Sequence, residues 1–198
     1  MISYLRQQKS KRQKPQTTNE ILSKIVDRVD ISERPPEVED RLIPGHWESD
    51  LIVGKNNKSF IGTLVERTTR TTLIVKLENK RASTVRKAFA EALQTLPKQM
   101  LKTMTHDNGT EMAEHKLFTR DTQIQVYFAH PYSSFERGTN ENTNGLIRAF
   151  FPKGTDFNLI PSGKIREVQD LLNNRPRKCL GWLTPKEVFD DLILKKCG

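Results

Sequence analysis

The chain has 198 residues, 35% hydrophobic and 29% charged, which suits one substantial domain with a small appendage and a polar surface. Lys and Arg number 33 against 24 Asp and Glu, a formal charge of +9 with a pI near 9.6, which favours polyanionic partners, nucleic acid first. The two cysteines, Cys179 and Cys197, form no CxxC pair, so a zinc knuckle is excluded and a reducing cytosol is expected. No apolar run approaches a membrane span and the N-terminus has no signal core, so the expected location is the cytoplasm.

Residues 1–33 read as a basic arm or linker. Arg6, Lys9, Lys11, Arg12 and Lys14 occur there without an acid before residue 17, and Ile21, Leu22, Ile25, Val26 and Val29 form a short helical stripe opened by a Thr17/Glu20 capping box. Residues 34–198 read as one domain. "ERPPEVEDRLIPG" (33–45) is expected to be an extended lead-in. Three β-rich runs follow, at 46–55, 59–70 and 71–80, with hairpin turns at "GKNNKS" and "RTTRT". Residues 82–97 carry Val85, Ala88, Phe89, Ala92, Leu93 and Leu96 at helical spacing, with Ser83 as the N-cap and Pro97 as the stop. Strands are expected at 101–109 and 124–131, and helices at 139–150 and 162–173. A last helix opens at Thr184, with Pro185 and Glu187 completing the box. The order is that of a mixed α/β sheet flanked by helices.

Three carboxylates stand out. Asp50 alternates with Leu51 and Val53 on the first strand, so it faces the side opposite to them. Asp107 ends the fourth strand, at a turn that Asn108 and Gly109 permit. Glu141 sits early in a helix among Asn140, Asn142 and Asn144, which are expected to orient it by hydrogen bonding without a competing cation. Positions 50 and 107 differ by 57, and 107 and 141 by 34, leaving 33 residues between the last two. Carboxylates brought together repel and need protons or cations. Hard divalent ions take oxygen ligands, and two of them roughly 3.5–4 Å apart clamp the attacking and leaving oxygens of a phosphodiester.

Other residues have plainer readings. Glu48 reads as a solvated or lysine-paired neighbour of the site, Glu111 as a surface acid beside it, His106 as a strand-end residue and His130 as loop structure. Trp47 and Trp182 read as core anchors, and Asp156 as a cap or a partner of Lys153. Residues 137–186 hold nine Lys/Arg against four acids, a local excess expected of a DNA track.

The stretches "GHWESDLIVGKNNKSFIGTLVERTTR", "LPKQMLKTMTHDNGTEMAEH", "PYSSFERGTNENTNGLIRAFFPKGTD" and "LNNRPRKCLGWLTPKEVF" lie between residues 45 and 189. In these stretches the chain resembles the catalytic domain of IS30-family insertion-sequence transposases, of the DDE class with a retroviral-integrase-like, RNase H-like core. Phe135 stands where the family usually has Trp. The resemblance puts the catalytic and metal-binding triad on Asp50, Asp107 and Glu141. It implies Mg²⁺ or Mn²⁺ as cofactor, hydrolysis at the element end to release a 3′-OH, and attack of that hydroxyl on target DNA. Asp50 and Asp107 would hold one metal, and Asp50 and Glu141 would shape the second site. Asn144, Arg148, Lys153, Arg175, Arg177 and Lys178 are the expected DNA contacts, and a homo-oligomer on DNA the expected assembly. The family's N-terminal helix-turn-helix region has no counterpart expected here. The rival expectation is therefore a truncated, non-autonomous remnant that binds DNA or a full-length transposase.

Overall fold

The computed structural model describes residues 25–197. The cationic arm and the Thr17/Glu20 box lie outside these residues. At its described end the stripe expected to be helical is a turn instead: Asp27 has a φ of 52°, Ile25 is buried in the core, and the Val29 carbonyl accepts from the Phe128 N–H at 2.9 Å. The Pro-rich lead-in is not fully extended. Glu37–Asp40 forms one helical turn, ended by Arg41 in the left-handed region.

Five strands build the sheet: β1 (His46–Val53), β2 (Phe60–Glu66), β3 (Thr72–Leu77), β4 (Thr103–His106) and β5 (Gln125–Phe128), in spatial order β3-β2-β1-β4-β5. The first three form an antiparallel meander, with Asp50 opposite Thr63. β4 runs parallel to β1, and β5 parallel to β4. Parallel neighbours need crossovers, which are supplied by α1 (Ala82–Gln94) and α2 (His115–Thr122). The expected mixed sheet with flanking helices is what forms. α2 had no clear sequence signal, because Phe118 is its one fully buried large apolar side chain. α1 starts at Ala82 with no side-chain cap, so Ser83 lies inside the helix rather than capping it.

Alternation along the strands divides the core in two. Trp47, Leu51 and Val53 pack toward α1 with Leu64, Phe89, Met104 and Phe128. Gly62 lets α1 approach closely, since a Cβ there would lie 2.2 Å from Phe89. On the opposite face Ile52, Ile61 and Ile74 pack against α3 (Gly138–Phe150) and α4 (Ser162–Asn173) through Ile147, Phe151, Ile165, Val168 and Leu172. α5 (Pro185–Cys197) opens with the reciprocal box the sequence implied: Glu187 N–H donates to Thr184 Oγ1, and Thr184 N–H to Glu187 Oε2. Trp182 is 70% exposed and anchors no core, because the 177–183 turn bonds to itself through Trp182 N–H and the Arg177 carbonyl. Among the described residues no helix is long and apolar enough to cross a membrane.

Candidate active site

Asp50 leaves β1 on the α3 face, as the alternation requires. Its Oδ2 accepts from Asn144 Nδ2 at 2.9 Å and its Oδ1 from the Leu51 N–H at 2.9 Å. Asp107 follows β4, the strand beside β1. Its Oδ1 accepts from the Gly109 N–H at 2.9 Å. A Cβ at Gly109 would meet the Glu111 carboxylate at 2.4 Å, so a larger residue there would displace that side chain. Arg137 stands between the two acids: Nη1 is 3.6 Å from Asp50 Oδ2 and Nη2 is 3.5 Å from Asp107 Oδ2. Burial raises the Asp50 carboxyl above its ordinary value, and the Asp107 charge adds to this while Arg137 opposes it. Sequence reading counted Arg137 among the basic residues but missed its place between the aspartates.

Glu141 lies in the first turn of α3. Its helical neighbours Arg137, Asn144 and Arg148 all bond to β1, at the Ser49 carbonyl (3.2 Å), Asp50 and the Val53 carbonyl (2.8 Å). These positions recur every three or four residues, so Glu141 shares the flank of α3 that runs along β1. It is exposed and makes no hydrogen bond or ion pair with a described residue. The asparagines do not orient it. Asn140 and Asn144 accept from Thr63 Oγ1 at 2.9 and 3.0 Å, and Asn144 holds Asp50.

Glu48 is wholly buried, not solvated. Arg67 Nη1 donates to it at 2.6 Å, and its other oxygen accepts the Asn140 N–H at 2.8 Å. It therefore pins the first turn of α3, a role that required knowing which helix lands on the strand. His106 does end its strand. It is buried, its Nδ1 lies 2.8 Å from Ser49 Oγ, and its Nε2 lies 3.3 Å from Asp107 and 3.8 Å from Glu111. Burial alone would lower the imidazole, but Asp107 and Glu111 outweigh it and hold it above its ordinary value. Burial would likewise raise Glu111, yet the interaction with the nearby His106 leaves it lowered. Ligand atoms of His106, Asp107 and Glu111 lie within 4.8 Å of one another, so Glu111 is a half-buried neighbour of the site rather than a surface acid.

The expected DNA contacts are dispersed. Asn144 is inside the site and Arg148 beside it. Lys153, Arg175 and Lys178 are exposed, and Arg177 is half-buried on the far flank of α3. His130 pairs with Glu136 and Asp30 in its loop, and Asp156 caps a short turn through the Asn158 N–H.

A family model described as the integrase core domain matches residues 42–134. The chain is 43% identical over 193 residues to the transposase for insertion sequence element IS1086 of Cupriavidus metallidurans, covering 98% of this chain and 57% of that protein. It is 45% identical over 166 residues to the transposase InsI for insertion sequence element IS30A of Escherichia coli, covering 84% of this chain and 43% of that one. The chain thus spans about half the length of these relatives. The catalytic core domain of BIV integrase superposes with a TM-score of 0.59 at 17% identity, over 78% of this chain and 99% of that domain. The fold is therefore that of the retroviral integrase cores.

Proposed function

We propose that the chain, similar as it is to insertion-sequence transposases and matched over 42–134 by the integrase core domain, carries the catalytic centre of such an enzyme, cutting DNA at element ends and joining the freed 3′ end to target DNA. One observation carries the reading: Asp50 and Asp107, from neighbouring strands, present Oδ2 atoms to a single guanidinium, beside a flank of α3 that bears the partnerless Glu141. Carboxylates so close are retained at a cost unless cations answer them.

The donor set fits a hard divalent ion. Asp50, Asp107 and Glu141 offer carboxylate oxygens, the ligands Mg²⁺ and Mn²⁺ prefer, and Glu141 has no competing partner among the described residues. Bound there, the ion would stabilise charge on the oxygens of the reacting phosphodiester. The rest is done by the chain. Asn144 and the Leu51 N–H fix Asp50, the Gly109 N–H fixes Asp107, and Glu48 fixes the helix that carries Glu141. Arg137 offsets the repulsion between the aspartates. Preset geometry of this kind is what positioned, electrostatic phosphoryl chemistry requires.

The test is a joining assay on duplex oligonucleotides bearing element ends, run beside a Mg²⁺ titration followed by thermal melting. Wild type should join ends only with the divalent ion and should melt higher as Mg²⁺ rises, since a ligand of the native state alone stabilises it. Asp50→Asn should lose both responses. Joining that survives chelation, or an unchanged Mg²⁺ shift in Asp50→Asn, would refute the proposal.

A further inference from the structure

The other flank of α3 borders a second feature. Arg41, Arg70, Arg177, Thr139, Asn142 and Cys179 line a cleft of about 370 Å³, at the lower end of the range of ligand pockets. Its lining includes no carboxylate. Six arginines elsewhere, Arg28, Arg34, Arg67, Arg86, Arg120 and Arg137, lie against Asp or Glu, whereas Arg148 donates to the Val53 carbonyl. In the cleft, Arg70 donates to Thr139 Oγ1 at 2.7 Å and Arg177 to the Leu172 carbonyl at 3.2 Å. Neither these two nor Arg41 has a carboxylate partner among the described residues. The Nε atoms of Arg70 and Arg177 are buried without an acceptor. Burial, then the charges of Arg175 and Arg70, pulls the Arg177 guanidinium below its ordinary value.

Clustered guanidiniums with donors to spare are suited to a phosphate, which matches their planar fork. The first turn of the 13-residue α3 adds the positive end of a helix dipole. We propose that the cleft is a phosphate-binding site that grips the backbone of the DNA strand lying across α3. The assignment to DNA rests on the transposase reading above. Asn144 and Arg148 face β1 while Thr139 and Asn142 face the cleft, so the exposed crest of α3 at Gly145 separates the two sites. A helix is about 10–12 Å across, so the cleft and the acidic site lie on the two sides of one helix. A Cβ on Gly145 would meet nothing within 4 Å, so internal packing does not require this glycine. A bare crest under a nucleic acid backbone accounts for it.

Cys179 lines the cleft and is exposed, which makes its thiol a reporter. The experiment measures iodoacetamide labelling of Cys179 by peptide mapping, with Cys197 read separately. It is run with no addition, with inorganic phosphate and with a duplex oligonucleotide, alongside DNA binding at several salt concentrations. DNA should slow labelling of Cys179 several-fold in the full chain, and phosphate should do so at higher concentration. Arg177→Gln should abolish the protection and lower the slope of log affinity against log salt by about 1, equally for all sequences. Arg41→Glu, at an exposed side chain, should do the same without any threat to folding. Undiminished labelling at saturating DNA would overturn the cleft proposal and leave the transposase reading untouched. Protection by phosphate but not by bound DNA would overturn the assignment to a DNA strand. Failure of the transposase reading shows instead in the joining assay with Asp50→Asn, whatever Cys179 reports.

Discussion

Glu48 and Asp50 stand two residues apart on the same strand and the same face, yet their surroundings differ. Around Glu48 every charge is answered: Arg67 takes one oxygen, the Asn140 N–H the other, and Glu39 reaches the far side of Arg67 at 3.2 Å. Around Asp50 the charge is left half-answered. Arg137 stays 3.6 Å away, Asp107 shares it, and Glu141 has no described partner. One end of β1 is a closed ionic joint that fixes a helix. The other is a mouth where two aspartates share one guanidinium. An acid satisfied by the fold is structural, and one left short of charge is a candidate for chemistry.

The difference can be broken most sharply at the mouth. Asp107→Asn and Glu141→Gln should each lower end joining by about 10³-fold or more while melting stays near wild type, and the double variant should be no worse, because the ligands act as a unit. Glu111→Gln should stay within about tenfold, or about 1.4 kcal/mol of barrier. A Glu111 variant as inactive as Glu141→Gln would show that the third acid has been assigned to the wrong side of Asp107.

At the closed end the effect should move from activity to stability. Glu48→Ala leaves Arg67 buried beside a missing partner and frees the first turn of α3, so denaturant unfolding should show a loss of about 3–5 kcal/mol. A loss below about 1 kcal/mol would mean that the joint is not fixed as described.

His46 begins the same strand, with Nδ1 2.8 Å from Thr103 Oγ1. Burial, helped by the nearby Lys102 charge, pulls its pKa down from 6.5 to about 4. Between those values the unfolded chain takes up a proton that the native state refuses. Stability should fall as pH drops through that window, by up to about 1.4 kcal/mol per pH unit, and level off below it. His46→Asn should flatten the acid limb of the melting curve between pH 6.5 and 4, and an unaltered limb would assign the loss to other groups.

The smallest effect concerns the crest. Gly145→Ala should stabilise the helix by about 1 kcal/mol, since nothing lies within 4 Å of the new Cβ. Destabilisation on thermal melting would reveal a packing need that the structure does not contain.

The sequence by itself determined the local decisions. β-branched runs with period two gave the meander and put Asp50 opposite Leu51 and Val53, because side-chain alternation is a property of the extended backbone. The Thr184/Glu187 box was readable because both partners lie within one turn. What only the tertiary structure decided was every pairing across long separations. It turned Glu48 into a buried anchor 92 residues from the N–H it holds, gave Asn140 and Asn144 to Thr63 and Asp50 instead of Glu141, and left Trp182 outside the core. It also lodged Arg137 between two aspartates, with its Nη1 on a carbonyl 88 residues away. Periodicity records which way a side chain faces, but not which element arrives to meet it, and that arrival determines whether a charge is answered or left for chemistry.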